Sequence, residues 1–250
     1  MAMPDRMSAE RSSPRPIFLT AEWRKLVMAN YAVVPELLRP FVPHGTELDL
    51  FAGTCYVSLV GFLFTNTRLK GIPIPFHTTF EEVNLRSYVR HRGPDGWRRG
   101  VVFVREFVPK PALTFVARTI YGEPYATVPM GHAWSMENGS LTVRYRWKKQ
   151  RWHHIAVEAA ATPMDAAPGS EAEFITEHCW GYTRRGPQRT LEYGLEHPRW
   201  PVCPVLRHQV DVDFGLLYGE RFGVLNGQPP ASVLLAEGSS IVVRGARRCV

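Results

Sequence analysis

Phe80–Tyr125 reads FEEVNLRSYVRHRGPDGWRRGVVFVREFVPKPALTFVARTIYGEPY, and it sets charged residues among the strongest strand formers of the chain. In its first run Glu82, Asn84 and Arg86 alternate with apolar residues. An extended strand therefore places these three polar side chains on one face. That face is either solvated or a binding site.

The second run of this stretch, Val101–Phe107, is apolar on both parities, which is typical of a strand covered on both faces. Arg105 and Glu106 lie in it, where an unpaired charge is costly, so both need partners. Adjacent strand residues point to opposite faces, which favours a structural role for this pair over one shared site. The turn residues of Arg92–Gly96 predict that the two runs pair antiparallel.

Composition and length bound the class of protein. The chain has 250 residues with 45% hydrophobic content, which is enough for one sizeable core. We expect residues 1–16, rich in Ser, Arg and Pro, to be a mobile tail and residues 17–250 to form a single domain.

The charge pattern and the cysteines argue against several functions. The net charge of +7 is scattered without a long basic block, so we expect no nucleic-acid partner. No apolar stretch reaches the ~20 residues of a spanning helix, so we expect no membrane partner. The four cysteines lie far apart with no C-x-x-C pair and no secretory leader recognised ahead of them, which indicates a reduced, cytoplasmic protein.

Metal and cofactor motifs are not found in the sequence. His153, His154 and His178 invite a metal hypothesis, but adjacent histidines rarely bind one ion and no carboxylate stands at ligand spacing. Neither a G-x-S-x-G nor a phosphate-binding glycine loop is present. We therefore predict no metal and no cofactor.

Short strands and turn residues recur along the chain. Ser140–Lys148 alternates cleanly between apolar and basic residues, as a strand with one solvated face does. Leu113–Tyr121 is predicted to be a strand as well, and Ser170–Trp180, which opens on a capping-box pattern, a helix. The sum predicts a mainly β protein, an antiparallel barrel with a few short helices.

Three blocks carry a family resemblance: FEEVNLRSYV, GVVFVREFVPK and ARTIYGEPY, with WRKLVMANY and GTCYVSLVGF upstream of them. They resemble the YqjF-like DUF2071 family from about Ile17 to Val243. That family is in turn similar to acetoacetate decarboxylase. The resemblance implies a β-barrel or cone enclosing a small-molecule cavity.

The resemblance also implies catalytic candidates. Glu82 matches a buried glutamate of the decarboxylase, Arg105-Glu106 matches its R-E pair, and Lys110 is the candidate for its Schiff-base lysine. Two features depart from that pattern: the interval before Lys110 is shorter, and Pro111 replaces the second lysine. A lysine becomes a nucleophile near neutral pH only when burial or an adjacent cation lowers its pKa, so this replacement puts Schiff-base chemistry in doubt.

The remaining candidates are polar residues for ligand binding: Asn84, Arg86, Arg105, Arg118 and Tyr121. Arg118 and Tyr121 form, with Glu123 and Tyr125, a second polar cluster shaped by a turn at residues 122–124. For Glu82, Asn84 and Arg86, a buried hydrogen-bonded network that ties strands together is an equally good interpretation. For the second cluster, packing in the interior is equally plausible.

The sequence thus predicts a barrel cavity that binds or transforms a small organic acid or carbonyl compound. Whether this cavity is catalytic stays open at this point. The alternative is a non-catalytic structural or interaction module, built as a homo-oligomer through exposed aromatic strands and the Trp200-Pro201 region.

Overall fold

A computed structural model describes residues 15–249, and strands dominate this part of the chain. The strands are β1 (Ile17–Val33), β2 (Thr46–Leu48), β3 (Cys55–Leu69), β4 (Ile72–Pro73), β5 (Phe80–Gly93), β6 (Gly96–Val108), β7 (Tyr125–Thr127), β8 (Met130–Glu137), β9 (Ser140–Lys149), β10 (Arg151–Ala160), β11 (Trp180–Gly186), β12 (Arg189–Glu196), β13 (Val202–Cys203), β14 (Val205–Asp211), β15 (Ser232–Arg244) and β16 (Arg247–Arg248). The helices are α1 (Pro35–Leu38), α2 (Pro111–Val116), α3 (Glu171–Thr176) and α4 (Phe214–Tyr218), with 3-10 turns at Arg39–Phe41 and Glu220–Leu225 and a π-helix at Ala117–Tyr121.

Seven strands close into a barrel in the order β15-β1-β3-β5-β6-β11-β12. The ring is completed where β12 returns to β15, with Leu195 opposite Val243 and Glu196 opposite Val242. Neighbours run antiparallel except β6 and β11, which are parallel. Closure removes the free edges of the ring, which would otherwise offer unpaired backbone groups. The predicted mainly β, barrel-like fold with short helices is confirmed.

A second, four-stranded sheet covers one side of the barrel in the order β14-β10-β9-β8. In β9 the residues Val143, Tyr145 and Trp147 are fully buried, whereas Arg144 and Arg146 between them are exposed. The alternation seen in the sequence therefore marks a sheet with one face on the core and one in water.

The central barrel strands are buried on both faces, which explains their continuous apolar sequence. In β3 every residue from Cys55 to Phe64 is buried. Leu59 belongs to the core shared with the second sheet, and its neighbour Val60 belongs to the core inside the barrel. The inner face of these strands is what positions the site described below.

The β5–β6 hairpin carries an irregularity that matters for the site. Its ladder pairs Leu85 with Arg105 but the next residue, Arg86, with Phe103, so β6 contains a bulge. A bulge lets a strand place residues of both parities on the same side. Phe103 and Glu106 consequently both line the barrel interior.

The prediction of a strand over Leu113–Tyr121 is wrong, because this segment forms α2 and the π-helix that follows it. Pro111 occupies the first turn of α2. Backbone N–H groups there have no acceptor within the helix, so a proline costs no hydrogen bond at this position. Strand-forming residues in this segment bury little of their surface: Phe115 is 69% exposed and Ile120 is 56% exposed. Local β propensity was therefore overridden by the chain's placement across the barrel.

The predicted helix at Ser170 is present but shorter than expected. The Ser170 hydroxyl accepts a hydrogen bond from the Glu173 amide at 3.2 Å, as a capping residue does. The helix ends at Thr176 rather than at Trp180, which begins β11. Trp180 pairs with Gly100 of β6, so the helix has to end before the chain enters this strand.

The predicted mobile tail lies mostly outside the described residues, which begin at Arg15. The Arg15 guanidinium donates to the backbone carbonyls of Glu192 and Gly245, at 3.1 and 3.0 Å. Within residues 15–249, no helix has the length and apolar character needed to cross a membrane.

Candidate functional site

A cavity of about 350 Å³ lies inside the barrel. All seven barrel strands contribute to its lining, together with α2, Ile74 and His77. Most of the wall is apolar, and its largest aromatic members are Phe18, Trp23, Phe62, Phe64, Phe80, Phe103 and Trp180. An apolar pocket that holds a few convergent polar groups is the usual form of a small-molecule site.

The inner face of β5 supplies the first polar groups. Glu82, Asn84 and Arg86 all line the cavity and are all buried. The Asn84 side-chain amide donates to Glu82 Oε1 at 2.9 Å. The shared face predicted from their alternation is therefore the face that the barrel encloses.

The next strand separates the two members of the Arg105-Glu106 pair. Arg105 donates to the backbone carbonyl of Leu217 at 2.9 Å and is not among the residues that line the cavity. Glu106 lines the cavity, opposite Asn84 in the β5–β6 ladder and opposite Tyr125 in the short parallel pairing with β7. The predicted structural role suits Arg105, whereas Glu106 belongs to the polar end of the cavity.

A third carboxyl reaches the cavity from the turn after the π-helix. Gly122 adopts a left-handed conformation with φ of 71°, and this turn brings Glu123 inward. Glu123 accepts hydrogen bonds from the Thr183 hydroxyl of β11 and from the Tyr193 hydroxyl of β12, the latter at 3.0 Å. The carboxylate is thus held by the part of the barrel opposite β5.

Tyr125 links the two sides. Its hydroxyl donates to Glu82 Oε2 at 2.9 Å, so Glu82 is held by Asn84 on one oxygen and by Tyr125 on the other. We call Glu82, Asn84, Arg86, Glu106, Glu123, Tyr125 and Tyr193 the polar cluster of the cavity.

Burial changes the acidity of the three carboxyls. It raises the pKa of Glu82 to about 7, against the opposing effect of the Asn84 and Tyr125 hydrogen bonds and the Arg86 charge. Burial likewise raises the pKa of Glu123 to about 7, against the hydrogen bonds from Thr183 and Tyr193. The pKa of Glu106 is raised well above its ordinary value by burial and then by the charges of Glu123 and Glu82. Near neutral pH the cluster can therefore both release and take up protons.

A second set of polar contacts joins the cavity to α3 and to Asp49, which follows β2. Arg86 donates to the Ile175 carbonyl at 3.1 Å, at the end of α3. His178 also lines the cavity, and its Nε2 lies 3.1 Å from Asp49 Oδ2. Burial lowers the pKa of His178 to about 4, so this ring is neutral at neutral pH.

Six of the lining residues carry a buried polar atom that has no hydrogen-bond partner among the described residues. These atoms are Trp23 Nε1, Thr67 Oγ1, Asn84 Oδ1, Arg86 Nε, Glu106 Oε2 and His178 Nδ1. A buried polar atom without a partner costs about 1–3 kcal/mol. Six such atoms around one cavity indicate a place where a ligand or water supplies the missing hydrogen bonds.

The other candidates from the sequence lie elsewhere. Lys110 is the residue that immediately precedes α2, is half-buried, and is not among the cavity-lining residues. Arg118 is exposed on the π-helix. The side chain of Tyr121 falls outside what the structure describes. Of the predicted second polar cluster, the structure brings Glu123 and Tyr125 to the cavity.

The histidines considered as metal ligands have protein partners. His153 Nδ1 accepts from the Asp213 amide at 3.3 Å, and His154 lies 3.8 Å from Asp211. One other group of described residues, His91, Glu192 and Cys249, has donor atoms within 4.8 Å of one another. Glu192 in that group already accepts hydrogen bonds from two arginines. The absence of a metal stays a prediction.

Sequence reasoning did not assign Glu106, Tyr193 or His178 to the cavity. The bulge in β6 decides which side Glu106 faces, and a bulge leaves no pattern in a run that is apolar on both parities. Tyr193 lies far along the chain and reaches the site only because β12 closes the ring. A clearer sequence signal for the cavity was the second polar cluster, because Glu123 directly follows the turn glycine Gly122 and Tyr125 lies two residues further on.

The fold recurs in solved structures of low sequence identity. The enduracididine biosynthesis enzyme MppR complexed with pyruvate matches with a TM-score of 0.66 and 15% identity, covering 99% of this chain and 98% of that one. Acetoacetate decarboxylase from Legionella pneumophila matches with a TM-score of 0.60 and 12% identity, covering 100% and 92%. An acetoacetate decarboxylase-like enzyme from Sphingomonas wittichii matches with a TM-score of 0.64 and 12% identity, covering 99% of each chain. At these identities the likeness concerns the fold.

Sequence comparison is more specific. The chain is 30% identical over 181 residues to the protein YqjF of Bacillus subtilis, which covers 70% of this chain and 72% of that one. The family model of DUF2071, described as an uncharacterized conserved protein, matches residues 20–240. This match spans most of the barrel and every member of the polar cluster, and the chain therefore belongs to the DUF2071 family.

Proposed function

We propose that the barrel cavity binds a small organic acid or carbonyl compound and acts on it by proton transfer. The observation that carries this proposal is the set of unpartnered polar atoms on Asn84, Arg86 and Glu106, gathered at one apolar cavity. Such a set costs stability unless a ligand satisfies it.

Arg86 is the group that recognises an acid or a carbonyl oxygen. Its guanidinium is a fixed planar donor that suits a carboxylate or a carbonyl oxygen. One of its nitrogens is engaged with the Ile175 carbonyl, which orients the side chain, while Nε has no described partner. The aromatic wall around Trp23 and Phe62 takes up the apolar part of the ligand.

Glu82 is the group that moves a proton. A general acid or base works best when its pKa lies near the working pH, and burial brings the pKa of Glu82 to about 7. Hydrogen bonds from Asn84 and Tyr125 fix both carboxyl oxygens and hence the direction of transfer. In the protonated state Glu82 donates to a carbonyl oxygen of the ligand, and in the ionised state it removes a proton from the carbon beside that carbonyl.

Schiff-base chemistry is not part of this proposal. No lysine is found among the described residues that line the cavity, and Lys110 stands at the start of α2. Among the fold relatives, MppR is complexed with pyruvate, a small carbonyl acid, which supports the ligand class.

The test uses 3-phenylpyruvate, a keto acid whose ring suits the aromatic wall, in isothermal titration calorimetry. The Arg86→Met variant is expected to lose at least about tenfold in affinity, the equivalent of one charge-assisted hydrogen bond of ~1.4 kcal/mol. Arg144→Met, which removes an exposed arginine of β9, is the matched control and should bind like the wild type. Equal binding by the Arg86 variant and the wild type, or no binding by either, would contradict the proposal. Solvent hydrogen–deuterium exchange at the carbon beside the carbonyl, followed by NMR, tests the proton transfer and should be lost in Glu82→Gln.

The alternative of a homo-oligomeric interaction module loses one of its supports. Trp200 is only 3% exposed, and its indole nitrogen donates to the Ser239 hydroxyl at 2.8 Å. Trp200 therefore packs within its own chain. Size-exclusion chromatography with light scattering measures the oligomeric state directly.

A further inference from the structure

We infer that Glu106 and Glu123 form a subsite for a basic nitrogen of the ligand, an ammonium group or another organic cation. The inference rests on the proposed function, because it names a second recognition group within the same cavity. It adds a requirement that the acid-binding role of Arg86 does not imply.

The groups that face one another in the cavity include more carboxyls than cations. β5 contributes Glu82 and Arg86, β6 contributes Glu106, and the turn before β7 contributes Glu123. The remaining titratable groups of the lining are the hydroxyls of Tyr125 on β7 and Tyr193 on β12, the neutral ring of His178, and His77 in the connection between β4 and β5. Three carboxyls thus share a buried space with one guanidinium.

This one guanidinium serves only part of the cluster. The charge of Arg86 acts on Glu82, the carboxyl two residues before it on β5. Within the described part of the chain, neither Glu106 nor Glu123 forms an ion pair or accepts a hydrogen bond from a lysine or an arginine. Glu123 is held by two neutral hydroxyls, and Glu106 Oε2 has no described partner.

A buried carboxyl that has no paired cation keeps its proton to a higher pH than an exposed carboxyl does. Without a cation, burial raises the pKa of Glu106, and the charges of Glu123 and Glu82 raise it further. A cationic nitrogen placed between Glu106 and Glu123 would reverse this, because each carboxyl could release its proton to solvent and pair with the ligand. Lysine supplies such a charge in many sites, and here the ligand supplies it instead.

The ligand class follows from joining both ends of the cluster. It has a basic nitrogen for Glu106 and Glu123, an acid or carbonyl oxygen for Arg86, and an apolar body for the aromatic wall. An amino-bearing keto compound or amino acid of modest size meets all three requirements.

The test compares two probes of similar size that carry the same ring, phenethylamine and 2-phenylethanol. Their binding is measured by isothermal titration calorimetry at pH 6 and pH 8. The amine is protonated at both values, since alkyl ammonium groups have a pKa of ~10. We expect phenethylamine to bind at least about tenfold more tightly than 2-phenylethanol at pH 8. Its affinity should rise by about tenfold from pH 6 to pH 8, with about one proton released to the buffer at pH 6 and almost none at pH 8, as displacement of a proton from a carboxyl whose pKa is about 7 requires.

The variants localise the effect. Glu106→Gln and Glu123→Gln should each remove the preference for the amine and its pH dependence while leaving the binding of 2-phenylethanol within about twofold. That retained binding shows that the variant cavity is intact. Glu137→Gln, which changes an exposed glutamate of β8, is the matched control and should behave as the wild type.

An amine that binds no better than the alcohol, an affinity that does not change with pH, or unaltered selectivity in both variants would overturn the inference. Binding of 3-phenylpyruvate in the same preparations separates the two proposals. If the keto acid binds through Arg86 while the amine shows no preference, the subsite is rejected and the proposed function stands. If neither the keto acid nor the amine binds, both fall together.

Discussion

Glu106 on β6 and Glu192 on β12 are both buried, with exposed fractions of 2% and 1%, yet their surroundings differ completely. Glu192 accepts hydrogen bonds from Arg98 Nη1 at 3.1 Å and from Arg247 Nε. Glu106 has no described cation beside it, and its Oε2 has no described partner.

The difference separates two uses of a buried carboxyl. Around Glu192 the protein provides the counter-charge itself, so the group ties β12 to the β6 hairpin and to β16. Around Glu106 the counter-charge is missing and a cavity adjoins instead. A buried acid without a protein partner, lying at a cavity, is more informative about function than one that is fully paired.

The largest expected effect is on the paired side of this comparison. Glu192→Gln removes the charge on which Arg98 and Arg247 converge and should lower the free energy of unfolding by about 3 kcal/mol, as breaking a buried ion pair does. Urea unfolding at pH 7 measures it. Glu106→Gln is the comparison variant and should leave the free energy of unfolding unchanged or raise it. A loss in Glu106→Gln as large as in Glu192→Gln would break the comparison.

A smaller effect, with a defined pH window, is expected on the unpaired side. A carboxyl whose pKa rises from about 4.5 unfolded to about 7 folded binds more protons in the folded state between these values. Its contribution to stability is therefore complete below pH ~4.5 and is lost as the pH rises through ~7.

The Glu123→Gln side chain does not ionise, so the variant does not lose this stability as the pH rises. Between pH 5 and pH 8 the free energy of unfolding of the variant should rise by about 1–3 kcal/mol relative to that of the wild type. This range lies below what the full pKa difference implies, because the substitution also alters the hydrogen bonds from Thr183 and Tyr193. Urea unfolding of both proteins at the two pH values checks this. Subtracting the wild-type curve cancels the opposite trend of His178, whose pKa of about 4 destabilises the fold as the pH falls. A stability difference that is independent of pH would show that Glu123 is ionised at both values.

The last prediction is that no Schiff base forms on Lys110. If the cavity lacks a protein cation near Glu106, borohydride should not trap a Schiff base on Lys110 with acetoacetate or pyruvate. Peptide mapping by mass spectrometry, with Lys110→Ala as the control, detects any adduct. Specific labelling of Lys110 would mean that this lysine enters the cavity and that the contrast with Glu192 is incomplete.

Much of the fold could be predicted from local pattern, because alternation and turn residues are local properties. The β5 face with Glu82, Asn84 and Arg86 follows from a spacing of two, and β9 follows from the same rule. The strand predicted at Leu113–Tyr121 failed because its residues favour strands while α2 is selected by its position across the barrel. The site could be predicted only in part for the same reason: Glu106 depends on a bulge, and Tyr193 depends on ring closure.

The β11–β12 hairpin shares shorter backbone ladders with β6 and β15 than β1 shares with its two neighbours. β11 meets β6 at Trp180 and Gly181 only, and β12 meets β15 at Leu195 and Glu196 only, whereas β1 follows β3 and β15 along most of its length. The hairpin is also held by its pairing with β16 and by the contacts of Glu192 with Arg98 and Arg247. Because the hairpin carries Tyr193 and Thr183, a displacement that separated it from Glu123 would remove both hydroxyl partners of that carboxyl. The acidity of Glu123 therefore depends on the position of the β11–β12 hairpin.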